Sequence, residues 1–408
     1  MIIKIEKEIA EPQPNPYYDH KGRIGVWNLF HYKLPNRVCF FNIFLKGADM
    51  HNVNIGVDLH KHQFTCYFLK ENVGKYEKFS TDTAGINQFK FFVNTIKSEG
   101  YNVKIAVEST GNTRYFKNAI EKLGVKVIIV NTLRFKVVNE SVNKTDKRDA
   151  KTIAEFLAKD MLPEVHLSSE RSEQLKRLLN SRKIIVDSRV KLKNQIHGIL
   201  LSMGIITKAG QLNSKKGRNN LLSKIQDDIN KMIIATIIES INTFDEQVKK
   251  IEIKLEELTS NDRVVDILQS IPGTGKISSA TVRAYIDDIR RFSHYNKLSS
   301  YCGLVPRVKC SDEKKYYGPI TKRGPVELRT ALIQMVLGLI RSKKEYNSRL
   351  MVFYRNIKRY KGSGKALVAT ARKLTKVIWT LLSKDEEFDS SKLTVLDDNI
   401  INKSFNAA

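Results

Sequence analysis

The sequence predicts an α/β domain near its beginning, followed by a long helical coiled-coil segment and a mostly α-helical domain. Three observations indicate this order. Between residues 50 and 165, short runs rich in Val and Ile alternate with amphipathic helical stretches. Apolar residues then recur at steps of three and four as far as residue 260, and helical stretches separated by Gly and Pro follow. A chain of 408 residues is long enough to form two or three separate cores.

We predict five segments along the chain. Residues 1–49 combine a Pro-rich PQPNP stretch with scattered aromatic residues and lack periodicity, so we expect a loosely ordered extension or an upstream start, with an accessory arm as the functional alternative. Residues 50–165 are the α/β domain, 166–260 the helical spacer and 261–385 the C-terminal domain. Residues 386–408 are rich in Asp, Asn and Ser, and we expect a flexible tail.

The α/β domain is predicted from strands and helices that alternate along the chain. The predicted strands are VNIGVDL, FTCYFLK, VKIAVEST and VKVIIVN, and the predicted helices are TAGINQFKFFVNTIKSEG, NTRYFKNAIEKLG and TDKRDAKTIAEFLAKD. Gly100 and Gly124 end two of these helices. Such a βαβ rhythm implies a central, buried sheet.

Four acidic residues are the candidate metal ligands of this domain. Asp58 ends VNIGVD and Glu108 ends VKIAVE, each on the strand face opposite the β-branched residues, where an acid is costly to bury unless it is paired or binds metal. Asp146 and Asp149 follow Thr145, a predicted N-cap, and the spacing of three residues puts both on one helix face. Each acid also has a structural explanation, as a loop cap or as a favourable charge at a helix N-terminus. Together, four carboxylates suit two Mg²⁺ ions about 3.5–4 Å apart, with Mn²⁺ as the alternative, acting on a phosphodiester.

The helical spacer carries an apolar seam typical of a coiled coil. The seam residues alternate steps of three and four, and they are Ile234, Ile237, Ile241, Phe244, Val248, Ile251, Leu255 and Leu258. A coiled coil here would join copies of the chain into a homo-oligomer, a dimer or a tetramer. The alternative is a long helix that packs inside its own subunit.

The segment IPGTGK predicts a tight turn between two helices of the C-terminal domain. A P-loop is excluded, because Ser270 stands where GxxxxGK[ST] needs a glycine and Ile277 where it needs Ser or Thr. The Pro-Gly-x-Gly turn instead resembles a helix-hairpin-helix, whose backbone N–H groups contact a DNA phosphate. We therefore predict phosphate contacts at Gly273, Gly275 and Lys276, with a turn that binds no ligand as the alternative.

The charge of the chain favours a nucleic-acid partner. Lys and Arg number 70 against 43 Asp and Glu, which gives a formal net charge of +27. So basic a surface favours a polyanion, because each neutralised phosphate releases condensed counterions. Ribosome-like and membrane-surface proteins are the alternatives.

Cations cluster in two parts of the C-terminal domain. Residues 351–380 contain eight Lys and Arg and no acid, so phosphate contact is favoured over a solvated face. Tyr316 and Tyr317 lie among the cations of the other cluster and could stack on bases. The predicted contact residues are Arg307, Lys309, Lys314, Lys315, Lys322 and Arg323 in that cluster, and Arg355, Lys358, Arg359, Arg372 and Lys373 in residues 351–380.

Several protein classes are excluded by other features. No apolar run approaches the ~18 residues needed to span a bilayer, and the acidic, Pro-interrupted beginning does not resemble a secretory signal. The four cysteines form no CxxC pair, so neither a zinc site nor a disulfide framework is predicted. We expect a cytoplasmic, nucleoid-associated prokaryotic protein without a membrane partner.

Motifs in both domains resemble one known family. GVDLHKHQF, AVESTGNTRYF and VNKTDKRDAKTIAEFL resemble the N-terminal half of DEDD-type insertion-sequence transposases, the insertion sequence 110 family with its DNA-invertase relatives. FSHYNKLSSYCGLVPR, VKCS and ITKRG resemble the C-terminal domain of the same family, so the resemblance covers nearly everything after Met50. It implies a RuvC/RNase H-like fold for the α/β domain and metal-ligand roles for Asp58, Glu108, Asp146 and Asp149.

The resemblance also implies a serine nucleophile. In that family a serine shortly after the Gly-Leu-x-Pro-Arg segment attacks DNA and forms a covalent phosphoserine, and by position this serine is Ser311. A serine hydroxyl needs a base or metal to activate it, so the acids and Ser311 are expected to act together, within one subunit or between subunits. The family usually has a small Gly after the serine, whereas Asp312 stands here. The alternative nucleophiles are Ser278, Ser279, Ser299, Ser300 and Cys310.

The function that the resemblance implies is cleavage and rejoining of DNA strands at element ends and a target. It further implies a structured noncoding guide RNA and a higher-order homo-oligomer. A two-metal nuclease or junction resolvase that uses the acids and water is one alternative, and a non-enzymatic DNA-binding protein is another. An actin-like sugar kinase is disfavoured, because Asp58 is not followed by a glycine-bearing phosphate loop.

Overall fold

The structure is a computed structural model, and its described residues form two compact units that divide between Leu167 and Ser168. It describes residues 52–132, 134–135, 145–208, 210–311, 314–342 and 348–389, and of residues 309–311, 314 and 315 it describes the backbone alone. The predicted N-terminal extension and nearly all of the predicted tail lie outside these residues.

A mixed five-stranded sheet forms the centre of the first unit, in the order β3-β2-β1-β4-β5. The strands are β1 (Asn52–Leu59), β2 (Gln63–Lys70), β3 (Val73–Ser80), β4 (Asn102–Glu108) and β5 (Val127–Val130). The pairs β1–β2 and β2–β3 are antiparallel, whereas β1–β4 and β4–β5 are parallel. The sequence does not predict β3, because this edge strand is mostly polar and most of its residues are exposed or half-buried.

Helices cover both faces of this sheet. On one face, α1 (Thr83–Ser98) and α2 (Thr113–Glu121) pack against the β-branched and aromatic residues of β1 and β2. The ring of Phe64 lies 5.4–5.5 Å from three neighbouring phenylalanine rings at the centre of that core. On the other face lies α3 (Asp146–Ala158), which buries a small apolar stripe against β1, β2 and β4. All seven elements predicted for this region from the sequence are present.

The close packing of α3 on β1 depends on Gly56. A Cβ built on Gly56 would overlap the carbonyl oxygen of Ala150 and approach the backbone nitrogen of Ala154. Position 56 therefore has no room for a side chain, and the helix backbone lies directly on the strand. This contact brings the first turn of α3 to the C-terminal end of β1.

Two long helices of the second unit, α4 (Glu170–Ser202) and α6 (Asp228–Thr259), pack along each other, with the short α5 (Lys215–Leu222) near one end. Apolar residues of the α6 seam are buried against α4, and two ion pairs, Arg182–Glu252 and Arg189–Asp245, join the two helices. The predicted seam is thus filled by a helix of the same chain, which was the alternative to an intermolecular coiled coil. The heptad pattern alone therefore no longer indicates how copies associate.

A helical core and one β-hairpin form the rest of the second unit. The helices are α7 (Arg263–Ser270), α8 (Lys276–Ile286), α9 (Tyr295–Tyr301), α10 (Val326–Arg341) and α11 (Arg349–Lys384), which is kinked at Gly362. Two 3-10 turns lie at Gln211–Asn213 and Ile289–Arg291. The hairpin of β6 (Pro306–Ser311) and β7 (Lys314–Ile320) is an element that the sequence does not predict. None of the described helices is both long enough and apolar enough to cross a bilayer.

Candidate functional site

Asp58 is a buried acid at the C-terminal end of β1, with 4% of its surface exposed. Val53, Ile55 and Val57 of the same strand enter the core beneath α1 and α2. Because side chains alternate along a strand, Asp58 projects to the opposite face, which α3 covers. The predicted orientation of this acid agrees with the structure.

Glu108 lies at the same edge of the sheet as Asp58. It is the last residue of β4, which runs parallel to β1 with Val57 opposite Val107, and it is half-buried. Asp58 follows Val57 and Glu108 follows Val107. Because parallel strands end at the same edge of a sheet, the two carboxylates occupy neighbouring positions there.

The third and fourth acids come from the first turn of α3. Thr145 caps this helix, and its hydroxyl accepts a hydrogen bond from the Arg148 backbone N–H at 3.3 Å. Asp146 and Asp149 are both half-buried. A helix N-terminus with its free N–H groups stabilises negative charge, which accounts for two acids in one turn.

His60 is a member of this site that the sequence analysis did not single out. Its Nε2 atom lies 3.1 Å from Oδ2 of Asp58 and 3.5 Å from Oδ1 of Asp146. One ligand atom from each of these three residues lies within 4.8 Å of the other two. The signal in the sequence was the spacing of two from Asp58, because residues i and i+2 of an extended chain share a face.

Burial and like charge both act on Asp58. They raise its pKa from 3.8 to about 6, burial being the largest cause, with Glu108, Asp146 and Asp149 adding repulsion and His60 opposing them. The register of β1 and β4 and the position of α3 place Glu108, Asp146 and Asp149 on the side of the sheet where Asp58 lies. A divalent cation would relieve this repulsion, and carboxylate oxygens are the ligands that Mg²⁺ prefers, so the residues fit such an ion.

Ser311 belongs to the second unit. It is the last residue of β6, and its Cα partner across the hairpin is Lys314. Two of the alternative nucleophiles are buried and bonded inside helices. Ser279 donates to the Lys276 carbonyl oxygen, and Ser299 shares a 2.5 Å hydrogen bond with Thr375. The hydroxyls of Ser279 and Ser299 are therefore not accessible to a DNA phosphate. Ser311 differs in its place in the fold, because its backbone lies at the end of a hairpin strand.

The residues of the predicted phosphate-binding turn differ in their surroundings: Gly273 packs against another helix, and Gly275 does not. Gly273 has a φ of 78°, and a Cβ there would overlap the backbone of Gly338 in α10. Gly275 faces open space just before α8, whose N-terminus has no side-chain cap. Lys276 forms an ion pair with Glu256 at 2.8 Å. Close helix packing thus explains Gly273, and Gly275 is the member of the turn whose surroundings are open.

Cations are exposed on both predicted nucleic-acid surfaces. Main-chain hydrogen bonds from Thr321 to Val305 and from Lys322 to Gly303 join the segments GLVPR and ITKRG. Around this junction Arg307, Lys322 and Arg323 are exposed, as are Tyr316 and Tyr317. On α11 the exposed residues are Lys358, Arg359, Arg372 and Lys373, and Arg355 is half-buried.

Two family models match most of the described chain. A DEDD-type IS110 model, described as "Transposase", matches residues 55–205 and so includes the four acids. A second model, described as "Transposase IS116/IS110/IS902 family", matches residues 265–351 and so includes Ser311.

Known proteins similar to this chain carry related names. The transposase for insertion sequence element IS1111A of Coxiella burnetii is 27% identical over 70% of this chain and 79% of its own length. The transposase for insertion sequence element IS1328 of Yersinia enterocolitica is 24% identical over 70% of this chain and 85% of its own. The pilin gene-inverting protein of Moraxella bovis is 26% identical over 83% of this chain and 98% of its own.

Proposed function

The chain belongs to the IS110 family of transposases, and from this membership we propose that it cuts and rejoins DNA with a carboxylate metal site and a serine nucleophile. It is a DNA transposase or recombinase, and the DEDD-type domain implies an RNase H/RuvC-like α/β fold. One observation carries the proposal: Asp58 is buried at the C-terminal end of β1, beside the end of β4 that carries Glu108, and its carboxylate lies within 4.8 Å of ligand atoms of His60 and of Asp146 in the first turn of α3.

Asp58, Glu108, Asp146 and Asp149 would hold the metal, which we propose to be Mg²⁺, as two ions, with Mn²⁺ as the alternative. When bound, such ions polarise a phosphodiester and neutralise the charge that develops on its oxygens. The buried position of Asp58 serves this role, because a charged carboxylate in a poorly solvated place attracts a cation strongly.

Ser311 would form the covalent link to DNA. Its Oγ forms a bond to phosphorus while the bond from phosphorus to one deoxyribose oxygen breaks. The serine proton passes to a base, and the departing oxygen takes up a proton. A deoxyribose hydroxyl of another strand end then displaces the serine, so the strands are rejoined without an external energy source. A serine hydroxyl is a weak nucleophile, and we assign its activation to the carboxylate site.

The experiment that tests this proposal traps the covalent intermediate. The full-length protein is incubated with DNA and Mg²⁺, and the products are separated under denaturing conditions. We expect a protein–DNA adduct that disappears in Ser311→Ala and is strongly reduced in Asp58→Asn. If Ser311→Ala cut DNA as well as the wild type in Mg²⁺, the alternative of a two-metal nuclease or resolvase would replace the serine mechanism. Equal DNA turnover by Asp58→Asn, Asp149→Asn and the wild type would leave no role for the acids.

We further propose a structured noncoding RNA as a partner that directs the protein to donor and target DNA. The net charge of +27 on 408 residues supports a polyanionic partner. Sequencing the nucleic acid that copurifies with the protein tests this, and the absence of a discrete RNA would contradict it. Such a protein would act as a homo-oligomer, a dimer or tetramer, at the nucleoid of a prokaryotic cell.

DNA inversion is a second candidate outcome of the same chemistry. The Moraxella bovis relative named a pilin gene-inverting protein matches more of this chain than the two transposases compared above, 83% against 70%. Inversion and transposition share strand cleavage and rejoining and differ in how the two DNA sites are arranged. A plasmid that carries both sites in inverted orientation would distinguish the two outcomes by the products that form.

A further inference from the structure

We propose that His60 provides a nitrogen ligand to the carboxylate metal site and shifts the preference of that site from Mg²⁺ towards Mn²⁺. The inference rests on the proposed function, because it concerns the metal that the four acids would hold. It adds a ligand of a different chemical kind to an otherwise all-oxygen site.

The distances around His60 match those between ligands of one ion. Two ligands at right angles around an ion, each about 2.1 Å from it, lie about 3 Å apart. Nε2 of His60 lies 3.1 Å from Oδ2 of Asp58 and 3.5 Å from Oδ1 of Asp146. The ring nitrogen thus faces both carboxylates at once, as a shared ion requires.

The backbone holds His60 in this position. Its carbonyl oxygen accepts hydrogen bonds from Oγ1 of Thr81 at 3.1 Å and from Nδ2 of Asn112 at 3.0 Å. Its backbone N–H donates to the carbonyl oxygen of Gln63, which closes the turn between β1 and β2. Three separate segments therefore fix the main chain at residue 60, so that little backbone freedom is lost when the side chain binds a ligand.

A second observation at this face points to a ligand. Thr65 is the cross-strand partner of Asp58 and shares its face of the sheet, since Tyr67 of the same strand packs against α3 there. Its side chain is fully buried, and among the described residues its hydroxyl has no hydrogen-bond partner. A buried hydroxyl beside Asp58 is suited to bond a carboxylate or a water that the ion orients.

The chemistry of imidazole decides which metal gains most. Mg²⁺ prefers oxygen ligands and keeps its bound water, whereas Mn²⁺, a softer first-row transition ion, accepts an imidazole nitrogen more readily. Replacing one oxygen or water ligand by His60 should therefore favour Mn²⁺. Half of the His60 side chain is exposed, 51%, so exchange of the ring between solvent and ion needs no rearrangement of the core.

The test uses Mn²⁺ as the probe on the metal-stripped, full-length protein. Pulsed electron paramagnetic resonance detects hyperfine coupling between Mn²⁺ and an imidazole nitrogen. We expect this coupling in the wild type, its loss in His60→Gln and its retention in His62→Gln, a matched control because His62 is an exposed histidine of the same turn. Competition between the metals should show that the ratio of the Mg²⁺ to the Mn²⁺ dissociation constant falls about tenfold in His60→Gln.

The possible failures of the two proposals are distinguishable. If Mn²⁺ binds to the wild type and not to Asp58→Asn, but shows no nitrogen coupling, the His60 inference is wrong and the carboxylate site stands. Nitrogen coupling that survives in His60→Gln would also show that His60 is not the nitrogen ligand, while the carboxylate site would stand. If the wild type binds no Mn²⁺, with or without DNA, both the inference and the proposed metal site are wrong. The wild-type spectrum is informative by itself, so the result does not depend on the folding of any variant.

Discussion

Gly56 of β1 lies directly against the main chain of Ala150 in α3, in a contact that leaves no space for a Cβ at position 56. Gly56 is two residues before Asp58 on the same strand face, and Ala150 is one helical turn after Asp146. One backbone contact therefore sets the distance between the buried strand acid and the acids of the helix. The proposed metal site therefore depends on a residue that carries no functional group.

Gly56→Ala should separate α3 from β1 and weaken the site. Overpacking of this kind costs about 1–3 kcal/mol of the free energy of unfolding. We also expect a lower affinity for Mn²⁺, because Asp146 and Asp149 move away from Asp58. Urea unfolding and metal titration measure the two effects. Gly198→Ala is the control, since a Cβ at Gly198 in α4 meets no atom within 4 Å. Equal metal affinity of Gly56→Ala and the wild type would contradict the role assigned to this contact.

The metal-free protein should lose stability as the pH rises through about 6, owing to Asp58. Its pKa is raised from 3.8 to about 6 in the folded state, chiefly by burial, so the folded protein binds the proton more tightly than the unfolded chain. The stabilising contribution is fully present below about 3.8 and is lost as the pH passes about 6, a change of about 3 kcal/mol.

Urea unfolding between pH 4 and 7.5 in a chelator, compared between the wild type and Asp58→Asn, isolates this contribution. We expect the free energy of unfolding of the wild type, relative to that of Asp58→Asn, to fall as the pH rises from 4 to 7.5. Saturating Mg²⁺ or Mn²⁺ should restore stability at pH 7.5, because the cation replaces the proton. A pH-independent difference would show that Asp58 ionises in the folded state as it does in water.

Gly273→Ala should reduce stability, whereas Gly275→Ala should reduce DNA binding and leave stability unchanged. Gly273 combines a φ of 78° with close contact to Gly338, so the alanine variant should lose about 1–3 kcal/mol of the free energy of unfolding. Gly275 faces open space, so an alanine there should fold normally and weaken DNA binding if the N–H groups at the start of α8 contact a phosphate. Thermal unfolding and a DNA-binding isotherm separate the two roles. Equal stability of the two variants would contradict the packing explanation.

Removing cations from α11 should weaken DNA binding in a salt-dependent way. Lys358 and Arg359 are exposed, and each neutralised phosphate contributes about 1 to the slope of log affinity against log salt concentration. We expect Lys358→Ala and Arg359→Ala each to reduce that slope by about 1 for duplexes of any sequence. Lys254→Ala is the control, because Lys254 is exposed but paired with Glu257 at 2.7 Å. An unchanged slope would mean that this face of α11 is a solvated surface.

The sequence was most informative where local pattern and burial agree. Alternation in VNIGVD placed Asp58 on the face opposite the core, and the spacing of Asp146 and Asp149 placed both in the first turn of α3. The edge strand β3 was missed, because an edge strand with one solvated face needs few apolar residues. The hairpin of β6 and β7 is not predicted for a similar reason, since its Lys and Tyr residues carry no hydrophobic alternation.

By itself, the sequence determined the strand and helix periods, the positions of the four acids on their elements and the family motifs, because these depend on residues close together in the chain. Only the tertiary structure decided which residues meet. It placed His60 between Asp58 and Asp146, filled the α6 seam with α4 of the same chain and explained Gly56 by the backbone of α3. The contacts of His60 with Asp146, of α6 with α4 and of Gly56 with α3 join residues far apart in the chain, so no local periodicity encodes them.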